Sequence, residues 1–348
     1  MKKREPLIDI LKGLAILAVI VIHFNGKLFS SLSLNQKNWL LSFDQVLRFS
    51  VPLFVALSGY SLTKRYSSEK IIFANFLQRR VFKIVPAYFF WSAIAYLSII
   101  LFKTWPGYQD SYPWWQIIFL GKADYHLYFV PMIIQLYLLF PFLLQLVKKF
   151  KVWFLAVASV FQFTWFWWVG QQIKPITSMF WQDQWQYLLF VSWIGYFILG
   201  IFLALEREYR KKYWGLLGLG ALVIGLKLST DISWKLFNEG KNYIQITRFN
   251  RPEIFLYASG AILLTLCFGE KLISLPKFLF KPLEKLGQWS YSIYLIHTLP
   301  LRFIADVRGL SPLICPELQL LFILGISLLF AWFYKQATKI SKLALLLK

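Results

Sequence analysis

Charge is scarce in this sequence, and acid scarcer still. Only 16% of the 348 residues are charged, and 16 acids stand against 38 lysines and arginines. Soluble domains carry about a quarter charged residues, so this deficit excludes an ordinary water-soluble fold. Cysteine is nearly missing: Cys267 and Cys315 are the whole complement. Placed near opposite faces of a membrane, as the apolar pattern below places them, they cannot bridge. No Cys/His cluster has metal-ligand spacing and neither an HExxH nor a Walker sequence is present, so no metal site is expected. Gly215, Gly218, Gly220 and Gly225 follow no strand and do not match GxGxxG, which points to close helix packing instead of dinucleotide binding. Internal repeats and low-complexity linkers are absent as well.

What is abundant is apolar. Hydrophobic residues make up 58% of the chain and aromatics 20%, gathered in runs of about 17–22, the length that crosses roughly 30 Å of hydrocarbon as helix. The pattern predicts an all-α integral membrane protein of about ten transmembrane helices, at 7–24, 46–63, 82–102, 127–146, 152–169, 187–205, 213–228, 252–268, 289–305 and 318–334. The first run reaches His23 without a small-residue cleavage site and reads as a retained anchor. With the N-terminus inside, 24 of the 38 basic residues fall in cytoplasmic segments, which places both termini in the cytoplasm. The net charge of +22 is thus a topology signal and an attraction to anionic membrane lipid, with no nucleic-acid partner implied. No extramembrane segment is long enough for a soluble fold, so residues 1–348 read as one polytopic domain without a fused soluble domain. Tryptophan and tyrosine at run ends, as in "WPGYQDSYPWW" (105–115), read as interfacial belts, with sugar stacking as the second reading.

The first run holds the candidate chemistry. An ionisable group in a bilayer costs about 2.5–3.5 kcal/mol even on the forgiving insertion scale, yet "IDILKGLAILAVIVIHF" (8–24) keeps Asp9, Lys12 and His23. Eleven residues at about 100° each bring His23 to within about 20° of Lys12, some 16 Å further along the axis, and Asp9 joins the same stripe. Singly, Asp9 and Lys12 read as an interfacial pair with Lys12 snorkelling, and His23 as an outer cap. Together on one face they read as the lining of a protein-walled passage. A second cluster, Arg79, Arg80 and Lys83, opens the third run. It reads equally as a positive-inside flank or as a contact for an organophosphate, with Arg supplying a bidentate fork and Lys a point charge. His126 sits at an outer interface. His297 lies midway through the ninth run beside Ser290, Tyr291 and Tyr294, where a hydrogen-bonded structural network is the leading reading.

The opening "IDILKGLAILAVIVIH" carries D-x-L-[RK]-G and [RK]-x10-H patterns. It is followed by "VPLFVALSGYSL" (51–62, with Tyr60), "RRVFKIVPAY", "HLYFVPMIIQLYLLFP" (126–141) and "LGQWSYSIYLIH" (286–297). In this order, across essentially the whole chain, they resemble the membrane acyltransferase-3 family, integral membrane O-acyltransferases acting on cell-surface glycans. The resemblance implies transfer of an acyl group, most commonly acetyl, from cytosolic acyl-CoA to a hydroxyl of an extracytoplasmic polysaccharide or its lipid-linked precursor. It implies a multi-pass protein of the plasma (inner) membrane, with no metal. It assigns His23 to catalysis, with Asp9 in the same catalytic set as the residue that positions Lys12, and Lys12, Arg79, Arg80 and Lys83 to acyl-CoA. His126, Tyr60, Tyr291 and His297 form an acceptor-side or structural set. Lys12 and Lys83 stand where the family more often carries arginine. A transporter of a glycan or lipid-linked sugar is the competing class, since a polar stripe and aromatic mouths also suit translocation; a sensor or assembly partner is the third. The pattern sets neither the acceptor nor the oligomeric state.

Overall fold

The computed structural model describes residues 5–69, 71–102, 112–171, 185–206, 212–273, 277–306 and 315–340. Among the described residues all regular structure is helical: α1 (Pro6–Leu28), α2 (Leu34–Leu47), α3 (Ser50–Tyr66), α4 (Phe73–Phe102), α5 (Trp114–Phe119), α6 (Phe129–Gln171), α7 (Trp185–Leu188), α8 (Ile194–Leu205), α9 (Lys212–Asn238), α10 (Tyr243–Ile246), α11 (Pro252–Ile273), α12 (Lys277–Ile296), α13 (Thr298–Asp306) and α14 (Pro316–Ile340), with 3-10 turns at Phe29–Ser31 and Phe190–Ser192. Among the described residues seven helical runs are long and apolar enough to cross a membrane, and the chain is a multi-pass membrane protein.

The expected spans map onto these runs unevenly. The runs expected at 127–146 and 152–169 lie in one helical stretch, α6, which breaks at Lys151 (φ 47°, ψ −124°). That position falls inside the basic triplet Lys148, Lys149 and Lys151, where the pattern separates the two. The run expected at 187–205 is broken into the end of α7, the 3-10 turn at Phe190–Ser192 and the twelve-residue α8. The run at 289–305 changes helix at His297, between α12 and α13. Conversely α2, which the apolar pattern leaves as a loop, abuts α3 through Arg48 and Phe49 and extends the second span back to Leu34.

The chain forms two compact units, one of residues 1–70 and 139–288, the other of 71–138 and 289–348. In the first, α9 packs on α11, α3 on α8, and α1 on α3. Glycines supply the close approaches. Gly218 lies against Leu263 and the Gly260 carbonyl, and Gly225 against the Tyr257 backbone, so these positions are packing residues; Gly220 faces open space. Side-chain-free contacts let backbones approach where lipid offers no hydrophobic driving force for helix association. The outer face of α9 presents Leu216, Leu217, Leu219, Val223, Ile224 and Leu228, which in a bilayer meets hydrocarbon. In the second unit α4 contacts α5, and α13 contacts α14.

α1 behaves differently from α9. It opens with Pro6, whose ring suits a first helical turn, and carries Asp9 in that turn, where the helix dipole favours an acid. Most of its circumference is buried. Against α12 the two backbones nearly touch. A Cβ on Gly13 would overlap the Leu283 carbonyl, and one on Gly287 would overlap the Asp9 carbonyl, a reciprocal antiparallel clamp whose two points lie four positions apart on each helix. Gly287→Ala is expected to cost about 1–3 kcal/mol, the usual penalty of overpacking. Thermal unfolding of the detergent-solubilised protein measures it, and an unchanged midpoint would contradict the clamp.

Candidate active site

Asp9, Lys12 and His23 all belong to the first unit. Asp9 is 9% exposed, and its Oδ2 is buried with no hydrogen-bond partner among the described residues. Lys12 and His23 are half-buried. Two accessible stripes run along α1. One, with Leu14, Leu17 and Val21, is apolar and suits lipid. The other carries Lys12, His23 and Gly26 and lies roughly opposite at 100° per residue. The polar stripe therefore does not share the lipid-facing arc. It is also not continuous: Ile16 (0% exposed) and Val19 (2%) lie on the same face between the two polar groups and are packed over. Access is by two windows, one at each end of the helix.

The window at His23 is backed by a polar cluster that the apolar pattern did not reveal. Tyr243 places its hydroxyl 3.5 Å from the Ile22 carbonyl, one residue before His23, and donates it to Asp44 Oδ1 at 2.8 Å. The Tyr243 ring fills the space beside Gly26, where a Cβ would come within 3.0 Å of its edge. Asp44, wholly buried, also holds Arg48 one turn on, through Nε at 2.8 Å and through Nη2. Arg48 lies 4.7 Å from the centroid of Phe249. Arg251 donates through Nη2 to Gln45 Oε1 at 2.9 Å and through Nη1 to the Ile246 carbonyl at 3.0 Å. Its Nε lies 3.0 Å from Glu253, close enough for an ion pair but poorly aligned for a hydrogen bond. Burial pushes the Tyr243 hydroxyl well above the usual phenol range, and the Asp44 charge adds to it, so Tyr243 stays a protonated donor.

A buried ion pair costs more in desolvation than an exposed one and is weak evidence for stability alone. Its place one tyrosine away from His23 makes this cluster part of the candidate site. The signal was present in "DQVLR" (44–48), an acid and a base at i,i+4 beside an apolar run, and in "RFNRPE" (248–253) ahead of α11.

Tyr60, on α3, is buried and lies at the other end of α1. Lys64, one turn on, sits 5.6 Å over its ring and 3.7 Å from Glu5. Arg79, Arg80 and Lys83 belong to the second unit, in the second and third turns of α4, with Arg79 and Lys83 exposed and Arg80 half-buried. Tyr291 donates to the carbonyl of Ile84 at 2.8 Å, which holds α12 to α4 next to Lys83.

His126 and His297 are brought together in that second unit, their rings 4.8 Å apart. The Tyr294 hydroxyl donates to the His126 carbonyl, and His297 Nδ1 lies 2.7 Å from the Tyr294 carbonyl, which fixes the proton on Nδ1. The centre of this group is Asp124, wholly buried. It accepts from the Thr298 hydroxyl and the Tyr125 amide at 2.6 and 2.7 Å, pairs with Arg302 at 2.6 Å and lies 3.5 Å from His126 Nδ1. Gly121, at φ 71° and against the Leu127 backbone, makes the turn that delivers it. Burial alone raises the Asp124 carboxyl, but His126, Arg302 and the Thr298 hydroxyl together hold it well below the usual carboxylate range. Among the described residues no group of His, Cys, Asp and Glu could hold a metal ion. Cys315 lies outside the helices and Cys267 on α11, both reduced.

The fold is that of a helical multi-pass protein whose otherwise packed first helix carries a half-buried histidine, backed by a tyrosine, an aspartate and an arginine. The chain belongs to the acyltransferase-3 family, whose model, described as an acyltransferase domain, matches residues 6–341. It is a membrane acyltransferase. No curated protein and no solved structure matches it.

Proposed function

We propose that the protein is an O-acyltransferase of the plasma (inner) membrane, moving an acyl group, acetyl in the first instance, from cytosolic acyl-CoA to a hydroxyl of an extracytoplasmic polysaccharide or its lipid-linked precursor. The observation that carries this reading is the window at His23: a half-buried imidazole on a helix whose other polar group, Lys12, opens at the far end.

In this reading the His23 imidazole takes the proton from the sugar hydroxyl as its oxygen attacks the thioester carbonyl. The new C–O bond forms, the C–S bond breaks, and the proton passes on to the leaving CoA sulfur. An acyl-histidine relay is the second version, with the imidazole nitrogen attacking first. Tyr243 and Asp44 fix the turn that carries His23, while Asp9 and the Gly13–Gly287 clamp fix the turn that carries Lys12. Lys12, in the first unit, and Arg79, Arg80 and Lys83, in the second, are each candidate contacts for the CoA phosphates, and Arg80 supplies the bidentate contact. For a thioester held at the Lys12 end to reach His23, the packing over Ile16 and Val19 has to open, so a conformational step precedes chemistry. The transporter reading is not favoured by family membership.

Arg80→Ala is expected to raise the KM for acyl-CoA about tenfold and leave kcat nearly unchanged, as for a group that binds ground and transition states alike. Steady-state transfer from labelled acyl-CoA by the purified protein measures it, and an unchanged KM removes Arg80 from the donor site.

A further inference from the structure

Next to the His23 window, the charges of the polar cluster do not balance among the described residues. Arg48 is matched by Asp44 and Arg251 by Glu253. The third arginine, Arg248, is half-buried and makes neither hydrogen bond nor ion pair with a described residue. Burial pushes its guanidinium below the usual arginine range, with the Tyr187 hydroxyl the one group that opposes this; Arg251 is likewise brought down, to about 10, by burial. Keeping a partly desolvated cation without a counter-charge is unfavourable, and a protein that needed no anion there could place the residue in water at no cost.

The surroundings are built rather than loose. Asn250, beside Arg248 on the far side of Phe249, donates to Gln186 at 2.5 Å and accepts from the Tyr187 hydroxyl at 3.3 Å. Phe249 lies 4.7 Å from the Arg48 guanidinium and 6.2 Å from the Trp193 ring, measured to its centroid. Asn242 caps α10 through the Gln245 amide at 2.9 Å. Arg251 is held by Gln45 and by the Ser233 hydroxyl at 3.2 Å. The stretch 242–253 is thus tied to α2, α7 and α9, and Arg248 is the cation it leaves accessible. All these residues lie in the first unit, with His23.

We propose that Arg248 binds an oxyanion carried by the acyl acceptor, the carboxylate of an acidic sugar or the phosphate ester of a lipid-linked one, so that the acceptor is an anionic saccharide. This rests on the acyl-transfer reading of the His23 window, and deepens it by naming the acceptor class. A guanidinium fork matches both oxyanions bidentately, whereas a neutral sugar offers it only hydroxyls. Phe249 and Tyr187 supply the aromatic surface that a sugar ring covers. Arg48 and Arg251, though paired, add to the local positive field that draws such an acceptor in.

The test measures binding separately from turnover. Full-length wild type, Arg248→Gln and Arg248→Lys, in lipid nanodiscs, are titrated by thermophoresis with a glucuronate-containing oligosaccharide, a neutral oligosaccharide of equal length and a sugar 1-phosphate. Wild type is expected to bind at least one charged probe about tenfold more tightly than the neutral one, a difference of about 1.4 kcal/mol. Arg248→Gln is expected to remove that preference and Arg248→Lys to restore part of it. A preference confined to glucuronate identifies an acidic sugar, and one confined to the phosphate identifies a lipid-linked precursor. Equal binding of all three probes by wild type overturns the proposal, as does a preference that survives in Arg248→Gln. Thermal unfolding checks that the variants fold, which is expected because Arg248 makes no hydrogen bond or ion pair with a described residue. His23→Ala, carried through the same titrations and assayed for transfer from labelled acyl-CoA, separates this site from the chemistry. If that variant still transfers acyl groups but Arg248→Gln loses the charged probe, the catalytic reading fails and the anion site stands.

Discussion

His23→Ala is expected to lower acyl transfer by about 10²–10⁴-fold, the range that a positioned general base contributes, with the protein still in the membrane at normal abundance. The second half of that expectation follows from burial. His23 is half-buried while its neighbours Ile22 and Phe24 are packed in the core, at 5% and 6% exposure, so truncating the imidazole removes little of what holds α1 in place. Purified protein with labelled acetyl-CoA and a candidate glycan gives the readout. A relay through acyl-histidine leaves label on the protein when acceptor is withheld, and direct base catalysis leaves none. Label that stays on CoA with every acceptor in wild type restores the transporter. Near-normal product from His23→Ala ends the catalytic assignment. Tyr243→Phe refines the picture: it removes the hydroxyl that joins Asp44 to the His23 turn but keeps the ring beside Gly26. A drop in kcat with little change in acceptor KM is then expected if Tyr243 positions the imidazole.

Much of this architecture was legible because a bilayer makes hydrophobic length a direct signal. The helices α1, α3, α4, α9, α11 and α14 follow from runs that had to satisfy their own backbone hydrogen bonds in hydrocarbon. The break at Lys151 was legible too, since a basic triplet between two apolar runs has to stay at an interface. Elsewhere the window averaged over real boundaries. Residues 187–205 look like a span by composition, yet Trp193 Nε1 donates to the Tyr187 carbonyl across a tight turn, and only Ile194–Leu205 continues as helix. At His297 the ring nitrogen takes the Tyr294 carbonyl where α12 gives way to α13. The stripe on α1 followed from the 3.6-residue period, but the apolar packing of Ile16 and Val19 across its middle did not, because periodicity fixes which residues share a face and not what covers them. The Asp44–Arg48–Tyr243 and Asp124–Arg302–Thr298 groups join residues up to about 200 positions apart. A single sequence shows each polar residue as an isolated cost and cannot display the partner that repays it.

Asp124→Ala is expected to destabilise the protein by about 3–5 kcal/mol, because it leaves Arg302 buried without its counter-charge and the Thr298 hydroxyl without its acceptor. The loss should fall on the second unit, where Asp124 joins the turn at Gly121 to α13 and sits beside the His126–His297 pair. The pairing also predicts a direction with pH. The folded carboxyl is held below its unfolded value of about 3.9, so near that pH the unfolded chain binds more protons. The stabilisation is therefore present above about pH 4 and is lost as pH falls toward the folded value. Thermal unfolding in detergent across pH 3–7 measures both effects. Wild type should lose stability steeply below pH 4, and Asp124→Ala should show a lower midpoint with a flatter acid limb. Asp124→Ala combined with Arg302→Met should recover much of the lost midpoint, since removing both charges spares the desolvation that one alone cannot offset. If the single variant melts with wild type, or the double melts below it, Asp124 is not the counter-charge that holds this unit together. The network would then have to be explained by the chemistry of His126 and His297 instead.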